Sequence, residues 1–172
     1  MQRQVGGFTY IEMLVALALV ALVGLIAAPT VKKARQRADE QALRVALREI
    51  RTAIDAYKKA ADEGRVRKAV GESGYPKRLS DLVAGVPDSS KPDSPRIYFL
   101  RRLPADPLYR RGSAGEDLFA ADAAEVRVPP DRTWGLRSYA SPPEAPAPGI
   151  DVFDVYSLNP GVALDGSRYR DW

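Results

Sequence analysis

Residues 13–31, MLVALALVALVGLIAAPTV, form a run of nineteen positions without a charge. A run of that length is long enough to cross a bilayer as a helix. The apolar character starts slightly earlier, at Phe8, behind only seven residues, MQRQVGG. One carboxylate, Glu12, stands at the leading edge. The rest of the chain is polar and reads as something this helix carries. The full chain has 172 residues, so about 140 remain for one modest soluble domain once leader and anchor are set aside.

The chain contains neither cysteine nor histidine. That excludes structural disulfides, zinc sites of the Cys/His kind, Ser–His–Asp triads, Cys–His pairs and histidine bases. Carboxylate, hydroxyl, lysine and tyrosine are left for chemistry, which weighs against an enzyme. The formal net charge is +4, and most of the surplus lies just behind the apolar run. Residues 32–68 hold twelve Lys or Arg against six Asp or Glu. Such a segment reads either as a lipid-headgroup or nucleic-acid surface or as a solvated helix face. The interspersed acids favour the solvated face. A second basic cluster, Arg101, Arg102, Arg110 and Arg111, has Tyr98, Phe99 and Tyr109 interleaved. It could bind phosphates and stack bases, but a solvated rim over core aromatics is the preferred reading, so no nucleic-acid partner is expected.

The order of the first residues is informative. A secretory signal peptide is cut after small residues that follow its apolar core. Here Gly6 and Gly7 come before the core. Cleavage after Gly7 would leave the helix on the mature protein; an uncleaved signal anchor is the alternative. Pro29 lacks a backbone donor and is expected to kink or loosen the helix, or to mark its exit from the membrane. Residues 30–61 continue as helix, rich in strong helix formers. Leu43, Leu47, Ile50, Ile54 and Tyr57 recur at steps of four and three, one apolar stripe that fits the chain's own sheet better than a coiled-coil partner. A helix over residues 8–61 would be roughly 80 Å long, with Gly64 as its stop. Beyond it the spacing predicts a short helix or turn near Leu79, Leu82 and Val83, and a loop over 86–95. Strands are expected at 134–139 and, best in the chain, 151–157. Four prolines make 141–149 a loop, and 108–132 is weakly patterned, as a surface excursion.

Taken together, these features resemble the type IV prepilin and pseudopilin superfamily. The resemblance rests first on Gly7–Phe8, on Glu12 four residues on, on the apolar run and on Pro29. It extends through Ala53, Ala56, Tyr57, Lys58 and Gly64, then Gly74-Tyr75-Pro76, then LPADP at 103–107, DVYSL at 154–158, Asp165-Gly166 and Trp172. In that order the motifs look like a G-type major pseudopilin of type II secretion systems. Residues 108–132 and 141–149 look like insertions.

The resemblance implies an α+β, pilin-like fold: a long N-terminal helix, membrane-spanning in its first half, packed on a small antiparallel sheet. It divides the chain into a leader (1–7), a transmembrane and filament-core helix (8–31), its amphipathic continuation (32–62) and a periplasmic domain (63–172). It implies a non-enzymatic subunit of the inner membrane, crossing once, that polymerises with itself and with other pseudopilins into a filament for protein secretion. A prepilin peptidase would cut between Gly7 and Phe8, and Phe8 would be the candidate for N-methylation. An assembly ATPase and a platform protein would extend the filament. Glu12 would neutralise the new amine of Phe8 on an adjacent subunit; a carboxylate at the water interface is the alternative. A charge inside the bilayer costs about 2.5–3.5 kcal/mol, so Glu12 needs one of those two settings.

Two points of tension accompany the resemblance. Lys32, Lys33, Arg35 and Arg37 behind the helix, counted against Arg3 ahead of it, place the C-terminal part in the cytoplasm, whereas the resemblance places it outside. Pseudopilins of this type commonly hold calcium in the loop after the last strand, and the candidates here are Asp165, with Asp154 and Asp171 as weaker choices. The usual aspartate-dense loop is replaced by Asn159-Pro160-Gly161-Val162-Ala163-Leu164, with Arg168 and Arg170 nearby opposing a cation. A type IV pilus subunit or minor pilin is the alternative reading, disfavoured by the missing cysteine pair; a membrane-anchored binding module is a third.

Overall fold

A computed structural model describes residues 9–109 and 128–172, with the backbone alone over 23–30. It is α+β, with a long N-terminal helix and small antiparallel sheets. Two compact units are present, Met1–Ala38 and Asp39–Trp172. Helix α1 runs over Tyr10–Asp62, 53 residues, and α2 over Ser80–Ala84. Strands β1 (Val86–Pro87) and β2 (Arg96–Ile97) pair antiparallel, as do β3 (Trp134–Arg137) and β4 (Asp154–Ser157). Two 3₁₀ turns, Pro130–Arg132 and Tyr169–Asp171, complete the elements.

In the first unit, α1 begins where Thr9 offers its carbonyl to the Glu12 and Met13 amides at 3.1 and 3.2 Å. The helical backbone continues through Pro29, which has no N–H to give to the carbonyl four residues back. Among the described residues, no helix is long and apolar enough to cross a membrane. The expected membrane-spanning first half thus has no support from the described structure.

In the second unit, the stripe foreseen on α1 is the core. Leu43, Leu47, Ile50, Ile54 and Tyr57 are all buried, with Ala46, Ala53, Ala60 and Ala61 filling the spaces between them. They join Leu82, Leu100, Trp134, Val152 and Val155 in one cluster. Each large side chain so buried contributes about 1.5–3 kcal/mol against the unfolded chain. Gly64 ends the helix at φ +75°: its amide bonds Ala61 O at 3.1 Å and the Arg65 amide bonds Ala60 O at 2.9 Å. That pair of bonds is the Schellman arrangement, which needs a left-handed residue and so favours glycine.

The strands are shorter than the sequence suggests, for identifiable reasons. Past β3, the Ser138 amide turns to Ala147 O at 2.9 Å. Ahead of β4, the Val152 amide goes to Pro76 O at 2.8 Å, so the Gly74-Tyr75-Pro76 segment takes a bond that a longer strand would need. The region read as a loop over 86–95 is a loop with paired ends. Its mouth is closed by the Asp88 amide on Pro95 O, and Arg96 reaches Ala84 O and Gly85 O at 2.9 and 2.8 Å. Instead of one sheet, the unit therefore has two separate two-stranded ladders.

Candidate functional site

Gly7, Phe8 and the leader 1–7 lie outside the described residues. Glu12 lies in the first turn of α1, and its amide also approaches the Thr9 hydroxyl oxygen at 3.3 Å. Thr9 is thus an N-cap and Glu12 the third helical residue, the T-x-x-E spacing of a capping box. That signal stands in the sequence beside the cleavage motif and gives Glu12 a second reason to be acidic, since the helix N-terminus favours negative charge. Every residue from 9 to 22 is exposed, and large apolar side chains sit on all sides: Tyr10 is 81%, Leu17 68% and Val20 69% exposed. A helix apolar all round calls for a cover, which the described residues of this unit do not provide.

At the other end of the chain, the three aspartates proposed for calcium do not converge. Asp154 accepts from Arg51 Nε at 2.7 Å and Nη2 at 3.4 Å. Asp165 Oδ1 accepts from the Ser167 amide at 2.9 Å and hydroxyl at 2.6 Å, and Oδ2 faces Arg44 at 3.5 Å. Asp171 accepts from Arg168 at 2.8 and 3.3 Å. The Ser167 hydroxyl and amide, with Arg44 behind them, hold the Asp165 carboxyl below the usual range. Among the described residues, no cluster of three or more acidic, histidine or cysteine side chains could hold a metal ion. The donor set does not fit calcium, because each carboxylate already faces its own guanidinium.

Sequence reasoning missed the residues that do organise this end. Glu40, Arg44 and Arg51 lie at i, i+4 and i+11 on α1, one flank beside the apolar stripe. Glu40 Oε1 accepts the Leu164 amide and the Tyr169 hydroxyl, both at 2.9 Å. The Arg44 guanidinium lies 4.3 Å from the Trp172 ring centroid. Their spacing was the available signal, but charged residues filled every other face of the helix as well.

The LPADP segment works as a buried latch. Asp106 accepts the Leu108 amide at 2.8 Å and the Ser157 hydroxyl at 2.6 Å, while its own amide bonds Thr133 Oγ1 at 3.0 Å. Trp134 Nε1 donates to Pro104 O at 2.9 Å, and Asn159 Nδ2 to Leu108 O at 2.8 Å. Burial pushes the Asp106 carboxyl up against the opposing pull of the Ser157 hydroxyl and the Leu108 amide. At Asp151, burial also pushes up, but donors from Ser73, the Tyr139 amide and Ser138 outweigh it and hold the carboxyl low. A carboxylate so held is a poor general base, so the Ser73–Asp151–Ser138 group reads as structure rather than catalysis.

Of the basic–aromatic cluster, Tyr98, Phe99, Arg101, Arg102 and Tyr109 lie among the described residues. Phe99 packs on Tyr57 with ring centroids 5.2 Å apart, and the Tyr98 ring lies over Gly85. Arg101 and Arg102 are exposed, as a rim; Arg110 and Arg111 lie outside the described residues.

No protein-family model matches the chain, and no solved structure matches it. Among curated proteins it is similar to the type II secretion system core protein G of Dickeya chrysanthemi, at 27% identity over 111 residues. The alignment takes in 62% of this chain and 65% of that relative, so the chain spans slightly under two thirds of the relative's length. The resemblance to G-type pseudopilins read from the motifs is thus joined by similarity to a named core protein of type II secretion.

Proposed function

We propose that this chain is a structural pseudopilin of a type II secretion system, cut by a prepilin peptidase between Gly7 and Phe8 and polymerised through its N-terminal helix. The observation that carries this reading is the N-terminal run of α1, exposed and apolar on every side with Glu12 as its one charge, while the second unit has a complete core of its own. Such a helix is stable in a membrane or among copies of itself. Similarity to a type II secretion core protein supports the same choice.

On this reading, residues 8–31 hold the subunit in the inner membrane with the C-terminal domain in the periplasm. Extraction into the filament then exchanges lipid for neighbouring helices. Glu12 pairs with the Phe8 amine of the next subunit, and Phe8 is the methylation site. Pro29 loosens the helix where packing requires it. The partners are further copies, other pseudopilins, the peptidase, the platform protein and the assembly ATPase. The subunit contributes packing and no catalysis.

N-terminal sequencing of the protein from membranes tests the reading. A mature start at Phe8 is expected; an intact Met1 in cells with active prepilin peptidase overturns it. A Glu12→Ala variant is expected to be processed yet to assemble poorly, and normal filaments from it would remove the charge-pairing step.

A further inference from the structure

The oxygens gathered around Arg51 are those a hard cation would gather. Its Nε donates to Asp154 Oδ1 at 2.7 Å, and its Nη2 faces Asp154 Oδ2 at 3.4 Å, Val155 O at 3.1 Å and the main-chain oxygen of Trp172 at 2.6 Å. A carboxylate and two main-chain oxygens around one positive centre is part of a calcium donor set. Here a guanidinium fills the centre. Along the same flank of α1, Arg44 faces Asp165 and covers the Trp172 ring, and Glu40 takes the Leu164 amide and Tyr169 hydroxyl. The segment also closes on itself: Val162 bridges Arg168, and Trp172 Nε1 donates to Ser167 Oγ at 2.6 Å.

We infer that this protein fixes its C-terminal segment, residues 159–172, with a metal-independent clamp in which the Arg51 and Arg44 guanidiniums stand where a divalent cation would otherwise neutralise the aspartates. The chemistry differs in a useful way. A bound ion leaves when its concentration falls, but a guanidinium is covalently attached and stays charged throughout the physiological pH range. Its planar fork also binds a carboxylate with two donors, which fixes direction as well as charge. Asp154, Asp165 and Asp171 each have a guanidinium partner, so an added cation would have to displace one. The clamp lies within the Asp39–Trp172 unit and stands or falls separately from processing and assembly.

Hydrogen exchange read by mass spectrometry on the full chain in detergent tests this, in millimolar calcium and in EGTA. The wild type is expected to exchange at the same rate over 159–172 in both. Arg51→Gln is expected to speed exchange there about tenfold in either buffer, while amides of 134–137 keep their protection. Calcium-dependent protection of the wild-type segment overturns the clamp, as does unchanged exchange in Arg51→Gln. Should that variant unfold the whole unit, Arg44→Gln decides, because its half-exposed pair leaves the core untouched. Faster exchange confined to 159–172 supports the clamp; an unchanged rate overturns it.

Discussion

Asp106 and Asp151 are two buried aspartates with opposite electrostatics. Removing Asp106 as alanine strands the Leu108 amide and the Ser157 hydroxyl in the interior. Asp106→Ala is therefore expected to cost about 1–3 kcal/mol, read from the denaturant midpoint. The pH dependence follows from the direction of each shift. Asp106 has a raised carboxyl, so its contribution is full below the ordinary aspartate pKa and is lost as pH rises through the folded value. Asp151 has a lowered carboxyl, so its contribution is present above the ordinary value and is lost as pH falls through the folded one. Asp151→Asn should flatten the acid limb of a stability–pH curve, while the deficit of Asp106→Asn against wild type should shrink as pH rises. The sequence showed Asp106 inside a motif but not its role. Ser157 is 51 residues away, and nothing local announces that hydrogen bond.

Among the elements, α1 was legible because its core face repeats at helical spacing and its end carries Gly64. Gly64→Ala places a side chain at φ +75° and should cost about 1 kcal/mol of stability in thermal melts. The β-ladders were less legible. Strands of two to four residues carry too little alternation to define a face, and their bounds depend on which loop captures the next amide. One cross-strand detail is testable. Gly135 sits opposite Tyr156, and a Cβ there would overlap the tyrosine ring. Gly135→Ala should push that ring off the strand and away from Arg170, lowering stability by about 1–3 kcal/mol, with a fall in Tm as the readout.

For the molecule as a whole, the division into two units agrees with where burial begins. Among the described residues, the first buried one is Glu40, inside the Asp39–Trp172 unit. A chain starting at Asp39 is expected to unfold cooperatively and to stay in solution without detergent, whereas the full chain should partition into detergent; aggregation of the short chain in gel filtration would count against this. The α+β character was legible from the long N-terminal helix and the apolar stripe on it. The closure of the C-terminal segment was not, because its partners Arg51 and Trp172 are 121 residues apart. That separation has a mechanical meaning. Glu40 and Arg44 precede most of the apolar stripe along α1, so a tug arriving from the N-terminal side strains polar contacts before it strains the core. Pulling on the full chain from its N-terminus is therefore expected to free the C-terminal segment before the core unfolds, with single-molecule extension as the readout.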